Sequence, residues 1–532
     1  MKYIKMAAGM LIILFLSMQI SGQSEKLVSN TEQTMLLATK YMVEKVSTNG
    51  GYLWSYLPDF SRQWGEMEAY KTMIWLQQPG TVSMGNTFLD AYQATGDEYY
   101  YLAAEKVAAA VIWGQSPEGG WNYMIDFAGD RSLKKWYNTI GKNGWRLEEF
   151  QHYYGNSTFD DGVTASAARF LLRIYQKKMD PCFKPALEKA IGFILESQYP
   201  IGGWPQRYPL KYEFGKKGYP DYTSYSTLND DVTKGNIDFL ILCYLSLGRE
   251  EFLDPIGRGM NFYLISQHGS GGWGQQYDEY LKPAAARTYE PEALLPSTTF
   301  GCAMSLLRFY ELTGERKYLV RVPDAIEWLE KTRLPDGQTQ NGRYTHSTFV
   351  EPGSNKPIYV HRKGSNVIYG YYYSDYNDDK LLSHYGGKTS IRIEELKAKY
   401  DSLNALEPSE VVKNALLLPS EFTENTTPQK FNDGNPDFSS FVPDEARVEK
   451  IINSLDSQDR WLTNRGMTSN PYIGDGQHQE LTEKFASTHV GDETDTSPFR
   501  DNSGQEYLST RTYIINMKLL MNFLESKQKL LD

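Results

Sequence analysis

Gly202-Gly203-Trp204-Pro205-Gln206-Arg207-Tyr208-Pro209 decides the fold, because its Gly-Gly-aromatic turn recurs along the chain. Other copies are Gly50-Gly51-Tyr52, Gly119-Gly120-Trp121 and Gly271-Gly272-Trp273, and a degenerate copy at 454–461 ends in Trp461. The copies are spaced by roughly 70 residues, and a regular period of this kind is typical of proteins built from stacked structural repeats.

Each turn is followed by a short polar segment and then by a helical pattern. The polar segments lie at 86–90, 157–161, 226–231 and 297–300. Apolar residues recur at three- and four-residue spacing in 165–175, 186–195 and 235–247, whereas strand-like alternation is scarce. We therefore predict an all-α protein, an α/α toroid in which antiparallel helix pairs form a ring, with a helical solenoid as the alternative.

The toroid is predicted to span residues 23–400. A C-terminal extension, 401–532, is predicted to be irregular over 402–440, where Pro, Asn, Glu and Thr are frequent, and helical from 448 onwards. We expect this helical part to close the ring.

Residues 1–22 have the pattern of a signal peptide. Lys2 and Lys5 precede an apolar stretch, 6–20, and Ser21-Gly22 offers small residues for cleavage. The apolar stretch is short for a transmembrane anchor. We expect export to the periplasm or the extracellular space, with no membrane anchor.

Charge and cysteine content narrow the classes of partner. The net charge of −11 disfavours nucleic acids and anionic membranes as partners.

The three cysteines, Cys182, Cys243 and Cys302, cannot form a disulfide framework, so we expect buried free thiols in a protein stabilised by its core. Aromatic residues make up 14% of the chain, a content that suits both a sugar-binding cleft and a large helical core. We expect a monomer.

Acidic side chains occupy equivalent positions of successive repeats. Asp230 and Asp231 follow Asn229, Asp160-Asp161 stands one repeat earlier, and Asp278 follows the next Gly-Gly-Trp turn. Helix capping is the structural alternative for the first two sets, and a turn residue is the alternative for Asp278. Oxygen ligands from separated loops favour calcium, whereas no His or Cys spacing resembles a zinc site.

Basic side chains form a second group of candidates. His361, Arg362 and Lys363 lie in a segment bounded by Pro and Gly, where they could hold a carboxylate or form a solvated charge run. Arg287 is a further cation, with a simple pairing to Glu290 as its structural alternative.

The combination of motifs resembles the tenth family of polysaccharide lyases, the pectic acid lyases. The motifs are Thr-Phe-Asp-Asp-Gly-Val-Thr (158–164), Gly-Gly-Trp-Pro-Gln-x-Tyr-Pro (202–209), Thr-x-Asn-Asp-Asp (227–231), Gln-Tyr-Asp (276–278), Ala-Arg-x-Tyr-Glu-Pro (286–291) and Pro-Ile-Tyr-x-x-Arg-x-Gly (357–364). The resemblance covers roughly 113–385. It implies an α/α toroid that cleaves polygalacturonate, the backbone of pectin, by calcium-dependent β-elimination.

The resemblance also assigns roles to residues. Asp230 and Asp278 would contact calcium with Asp231 beside them, and Arg362 would be the catalytic base. The expected substrate contacts are Asp160, Trp204, Arg287, His361 and Lys363. The family often has Asn at the position of Asp231 and Asp at the position of Lys363, so this chain differs from it at the metal and beside the base.

Two other functions stay open at this level. An inverting glycoside hydrolase acting on an acidic polysaccharide would place Asp160 and Asp230 on either side of the sugar and would need no calcium. A non-catalytic glycan-binding protein would keep the cleft without turnover. Fold alone does not separate these alternatives from a lyase.

Overall fold

The structure is a computed structural model that describes residues 25–144, 147–216, 218, 220–363, 371–381, 387–412, 441–468 and 504–528. The predicted signal peptide, 1–22, and most of the irregular part of the C-terminal extension lie outside the described residues. Within the described ranges, no helix combines the length and the apolar character needed to cross a membrane.

Helices account for most of the regular structure. In chain order they are α1 (25–41), α2 (Thr81–Thr95), α3 (Glu98–Trp113), α4 (Asp130–Thr139), α5 (Val163–Lys178), α6 (Lys184–Glu196), α7 (Val232–Leu247), α8 (Leu253–Ile265), α9 (Pro296–Thr313), α10 (Val322–Lys331), α11 (Ile393–Asn404), α12 (Pro408–Val412), α13 (Glu445–Asn453) and α14 (Thr510–Gln528). Consecutive helices pack in pairs: α2 with α3, α5 with α6, α7 with α8, and α9 with α10.

One helix of each pair lies in an inner layer. The Phe88 ring of α2 contacts the Tyr513 ring of α14, with centroids 6.2 Å apart, and α2 also packs against α5. Helix α5 packs against α7, and α7 is joined to α9 by an ion pair between Asp238 and Arg308 at 2.5 Å. The inner layer therefore runs α14–α2–α5–α7–α9, and the predicted α/α toroid is confirmed.

The C-terminal helix α14 returns to the start of the chain. The Tyr513 hydroxyl lies 2.6 Å from the Thr39 hydroxyl of α1, and both groups are buried. A short strand near the C-terminus, Tyr507–Ser509, pairs with a strand formed by Ser55–Tyr56 and, on its other side, with Leu462–Thr463. The two ends of the described chain thus share one part of the ring.

The Gly-Gly-Trp turns form equivalent contacts in successive repeats. Each tryptophan donates its indole N–H to the backbone carbonyl ten residues earlier, which lies in the preceding outer helix. These bonds are Trp121 to Val111 at 2.7 Å, Trp204 to Ile194 at 2.8 Å, Trp273 to Tyr263 at 3.0 Å and Trp461 to Ile451 at 3.1 Å. The degenerate copy at Trp461 is therefore a structural repeat.

The first glycine of each turn is required by its conformation and by its neighbours. Gly202 has φ of +101°, and a Cβ there would lie 2.0 Å from the carbonyl oxygen of Arg258 in α8. Gln198, in the loop before this turn, donates its side-chain amide to the carbonyls of Gly202 at 3.0 Å and Pro255 at 2.9 Å. The turn is thereby tied to the next outer helix.

The described part of the chain also contains short strands. They are β1 (Ser55–Tyr56), β2 (Gln63–Trp64), β3 (Met73–Trp75), β4 (Met124–Asp126), β5 (Ser157–Thr158), β6 (Arg207–Tyr208), β7 (Ser226–Thr227), β8 (Gln276–Tyr277), β9 (His346–Ser347), β10 (Phe349–Val350), β11 (Pro357–Lys363), β12 (Tyr371–Asp375), β13 (Lys388–Thr389), β14 (Leu462–Thr463) and β15 (Tyr507–Ser509). The pairs β3–β4, β5–β6 and β7–β8 are antiparallel and link successive repeats. The longer pair β11–β12 was not predicted.

The cysteines only partly match the expectation. Cys243 and Cys302 are buried free thiols in α7 and α9, as predicted. Cys182 is exposed, so the prediction was wrong for this residue. It precedes α6 in a loop, outside the apolar face of the helix.

Candidate active site

The N-terminal ends of α5 and α7 carry equivalent aspartates. Asp161 and Asp230 both have φ of +51°, a left-handed conformation that aspartate tolerates better than most residues. Asp161 lies three residues beyond β5 and Asp230 three residues beyond β7, so the β5–β6 and β7–β8 ladders place the two side chains on the same rim. Acidic groups from two successive repeats therefore lie on the same rim.

Asp160 is the most tightly held carboxylate on this rim. Its Oδ2 accepts hydrogen bonds from Arg287 Nη2 at 2.8 Å and from the Tyr123 hydroxyl at 2.5 Å, and its Oδ1 accepts one from Gln206 Nε2 at 2.8 Å. Burial alone would raise the pKa of Asp160, but Arg287 and these hydrogen bonds hold the pKa below its usual value. Asp160 is therefore an ionised, fixed group.

Arg287 is surrounded by carboxylates from four segments of the chain. Its guanidinium nitrogens lie 2.8 Å from Asp160, 3.0 Å from Glu149, 3.4 Å from Glu290 and 3.7 Å from Asp230. Burial opposes the charged form, but the carboxylates raise the pKa of Arg287 well above its usual value. The pairing with Glu290, which was the structural alternative for Arg287, is present as part of this larger cluster.

Negative charge at the centre exceeds the charge that Arg287 supplies. Burial, followed by repulsion from Asp160 and Asp161, raises the pKa of Asp230 well above its usual value. Burial also raises the pKa of Glu149, with Asp160 contributing, although Arg287 opposes the shift. Such shifts are expected where several carboxylates share one cation. We call Glu149, Asp160, Asp161, Asp230, Arg287 and Glu290 the acidic centre.

The other two predicted calcium ligands lie apart from the acidic centre. The Asp231 side chain is 68% exposed and lies 3.8 Å from Lys234 Nζ. In the β7–β8 ladder Ser226 is opposite Tyr277, so Asp230 and Asp278 leave the ladder at opposite ends. The Asp278 carboxylate accepts two backbone N–H groups of its own turn, both at 2.9 Å. Joint calcium binding by Asp230 and Asp278 stays a prediction.

Trp204 does not reach the surface. Its side chain is completely buried, and its indole N–H is bonded to a backbone carbonyl inside the repeat. No part of the ring is available to a sugar, so the predicted substrate contact is corrected to a structural role. The tryptophans of the Gly-Gly-Trp turns therefore pack in the core and do not form a sugar-binding surface.

Arg362 and its two neighbours lie on opposite faces of the β11–β12 hairpin. Side chains alternate along a strand, so Arg362 shares a face with Ile358 and Val360, whereas His361 and Lys363 point to the other side. The first face packs in an apolar cluster that contains Tyr289, two residues from Arg287. Arg362, which is 4% exposed, therefore belongs to the face that covers the Arg287 loop.

The opposite face holds His361 and exposes Lys363. His361 Nε2 lies 3.0 Å from the Asp375 carboxylate and 3.0 Å from the carbonyl of Asn377, and the imidazole stacks on the Tyr373 ring. His361 thus joins the two strands. The structure does not bring His361 and Lys363 together with Arg362, and their substrate contacts stay predictions.

An open cleft of about 720 Å³ lies between the hairpin and the loop that follows β8. Its walls include Asp278, Lys282, Glu292, Glu351, Asp375 and Tyr376. Within the described part of the chain, no group of three or more His, Cys, Asp or Glu side chains is arranged as a metal site.

Two residues of the site were not predicted from the sequence: Glu149, which belongs to the acidic centre, and Tyr123, which contacts it. Glu149 lies in a short 3-10 turn that belongs to no motif. Tyr123 lies two residues after Trp121, as Gln206 lies two residues after Trp204. Because both side chains donate to Asp160, alignment of the repeats could have identified Tyr123.

The α/α toroid thus carries an acidic centre on one rim and an open cleft beside the β11–β12 hairpin. The model of the pectic acid lyase family matches residues 127–399, which is just over half of the chain. The chain belongs to this family, and the predicted resemblance is confirmed at this level.

Solved structures with a similar arrangement are distant in sequence. A family 10 polysaccharide lyase from Cellvibrio cellulosa is 16% identical, with 61% of this chain and 98% of that chain covered and a TM-score of 0.39. A variant of that lyase in complex with trigalacturonic acid is 19% identical over 52% of this chain and 86% of that chain, with a TM-score of 0.35. A sugar epimerase from a ruminal bacterium is 10% identical over 94% and 98%, with a TM-score of 0.41. No curated protein sequence matches the chain.

Proposed function

We propose that the protein is an exported pectate lyase of the tenth polysaccharide lyase family, which cleaves α-1,4-linked galacturonan by calcium-assisted β-elimination. The observation that carries the proposal is the acidic centre around Arg287, which lies within the segment matched by the pectic acid lyase family. Export rests on the pattern of residues 1–22 and is tested by N-terminal sequencing of the protein recovered outside the cytoplasm.

The donor set of the acidic centre suits calcium. All its potential ligands are carboxylate oxygens, which calcium prefers, and the Asp230 side chain remains 28% exposed. Burial raises the pKa of Asp230, and repulsion from Asp160 and Asp161, which a cation would relieve, raises it further. Asp230 and Asp278 would contact the ion, with Asp231 beside them. Bound calcium would neutralise the substrate carboxylate and stabilise the charge that develops on it.

The Arg287–Asp160 pair positions the calcium-binding carboxylate. Arg287 and Asp160 form a fixed ion pair that sets the position of Asp230, because Asp160 and Asp230 contact the same guanidinium. This pair keeps the metal-binding carboxylate in place before substrate arrives. Such preorganisation reduces the cost of reaching the transition state.

Arg362 is the proposed base. It takes the proton from C5 of the uronate, a double bond forms between C4 and C5, and the C4–O4 bond breaks so that O4 leaves with a proton from solvent. Arginine is normally protonated, and withdrawal from water disfavours the cationic form of a base. Arg362 is 4% exposed on the hairpin face that covers the Arg287 loop, a position compatible with this role.

The hydrolase alternative fits the acidic centre less well. An inverting hydrolase needs about 6.5–9.5 Å between its two carboxyl groups to admit a sugar and a water molecule. Asp160 and Asp230 instead contact one guanidinium, that of Arg287, at 2.8 Å and 3.7 Å. Asp160, with three donors around it, is also poorly placed to accept or donate a proton during turnover.

Product mass tests the proposal. Digestion of trigalacturonate by a lyase yields a fragment that is lighter by one water molecule than the corresponding hydrolysis product. We expect this unsaturated fragment with the native protein and none with Arg362→Ala. Saturated fragments alone would establish the hydrolase, and intact trigalacturonate that remains bound would establish a binding protein.

A further inference from the structure

The cleft beside the β11–β12 hairpin has walls suited to a pyranose ring. Tyr225 and Tyr376 line it together with Ile358 and several prolines, so part of its surface is flat and apolar. Tyr376 is 55% exposed and is oriented by a hydrogen bond from its hydroxyl to Glu351 at 2.9 Å. Aromatic and apolar walls with a few polar groups are typical of ligand sites.

The charge of this cleft is negative. Four carboxylates line it, those of Asp278, Glu292, Glu351 and Asp375, and Lys282 is the one cation among its described lining residues. Hydrogen bonds from Ser354 and Tyr376 lower the pKa of Glu351. Asp278 accepts two backbone N–H groups, and Asp375 accepts one from Asn377 at 2.8 Å and contacts His361. These hydrogen bonds hold the three carboxylates in place along the wall of the cleft.

This charge disfavours an unmodified galacturonate residue in the cleft. Lys282 offsets one of the four negative charges, and Lys356, whose ammonium lies 5.5 Å from the centre of the Tyr376 ring, offsets a second, so two remain. A uronate carboxylate would meet more carboxylates than cations, which selects against it. At distances near 8 Å and a dielectric between those of water and a protein surface, the repulsion from each charge amounts to about a threefold loss of affinity. A methyl ester removes that repulsion and adds an apolar group.

We propose that the cleft is a subsite that selects methyl-esterified galacturonate, so that the enzyme acts on partly esterified pectin at a free uronate next to an esterified one. The inference rests on the proposed function, since it assigns the cleft to the same substrate chain. Glu292 is the specificity-determining residue best suited to a test, because it is exposed and lies outside the acidic centre.

The test compares two variants with the same change in net charge. Glu292→Lys alters the cleft, whereas Glu118→Lys alters an exposed residue in the loop after α3. Binding of partly methyl-esterified and fully de-esterified oligogalacturonides of equal length is measured by calorimetry at fixed calcium. Arg362→Ala serves as the background so that turnover does not consume the ligand.

We expect the Arg362→Ala protein to prefer the partly esterified oligomer, Glu292→Lys to reduce that preference at least threefold, and Glu118→Lys to leave it unchanged. Raising the salt concentration should also reduce the preference, because ions screen exposed charges. Equal or tighter binding of the de-esterified oligomer, or equal effects of the two lysine variants, would overturn the inference. Absence of unsaturated product from the native protein would instead overturn the proposed function, and the binding ratio would still decide the role of the cleft.

Discussion

Arg287 Nη2 lies 2.8 Å from Asp160 Oδ2, and neither side chain is more than 7% exposed. The pair joins the loop after β8 to the N-terminal end of α5, which are separated by 127 residues in sequence. Glu149, Asp230 and Glu290 contact the same guanidinium. The rim of the toroid is therefore organised around one buried cation.

Loss of that cation should destabilise the fold. Arg287→Met leaves several buried carboxylates without their partner, and we expect the free energy of unfolding to fall by about 3–5 kcal/mol, measured by urea denaturation. The double variant Arg287→Met/Asp160→Asn should recover part of this loss, because one uncompensated charge is removed.

Arg249 provides a matched control. It pairs with Glu188 at 2.8 Å with both side chains more than a third exposed, so Arg249→Met should cost less than about 1 kcal/mol. Equal effects of the Arg249 and Arg287 variants would contradict the proposed importance of the buried pair.

Asp161 should make stability depend on pH. Withdrawal from water, followed by repulsion from Asp160, raises the pKa of Asp161 from 3.8 to about 7. A raised pKa means that the folded protein binds the proton more tightly, so this contribution to stability is complete below pH 3.8 and is lost as pH rises through about 7. The side chain also reaches solvent, and screening will reduce the size of the effect.

Asp161→Asn mimics the protonated side chain. Relative to the native protein, we expect the variant to be more stable at pH 8 and equally stable at pH 4, as measured by urea denaturation at both values. A stability difference that is the same at pH 4 and pH 8 would show that Asp161 has an ordinary pKa.

Trp204 should affect stability and not substrate affinity. Trp204→Phe removes a buried hydrogen bond and leaves a cavity, so we expect a loss of about 1–3 kcal/mol. Trp113, which is 56% exposed, provides the control, and Trp113→Phe should change stability little. If Trp204→Phe raised KM for polygalacturonate without lowering the melting temperature, a sugar-binding role would be restored.

The repeats could be predicted from sequence because each makes the same local contacts. The Gly-Gly-Trp turn is determined by local features. Its first glycine has a left-handed conformation, and its indole N–H donates to the backbone carbonyl ten residues earlier. The rim position of Asp160 and Asp230 follows from the same periodicity. Glu149 has no such signal, since its contact with Arg287 spans 138 residues and lies between motifs.

The hairpin shows where the sequence pattern was insufficient. His361, Arg362 and Lys363 are adjacent and basic, and from sequence they form one cluster. In β11 adjacent residues face opposite sides, so the cluster is divided by the sheet. The sequence pattern did not reveal the two faces of β11, because both faces contain buried side chains. Tyr359 is buried against Lys388, and His361 is buried against Asp375.

This division predicts different effects of two neighbouring substitutions. Arg362→Lys should reduce kcat by at least a hundredfold, because lysine lacks the planar guanidinium and its reach differs. Lys363→Gln, on the other face, should change kcat less than threefold. Steady-state kinetics on polygalacturonate checks both, and comparable losses of kcat would contradict the assignment of the two faces.

The central claim is calcium-assisted β-elimination, and the most direct measurement is the ultraviolet absorbance of polygalacturonate incubated with the protein. We predict that the absorbance of the unsaturated uronide rises when calcium is present. The rise should stop when a chelator is added and resume when calcium is restored. Asp230→Asn should require more calcium for the same rate, because it removes a charged ligand. New reducing ends without any rise in ultraviolet absorbance, or a rise that the chelator leaves unchanged, would contradict the claim.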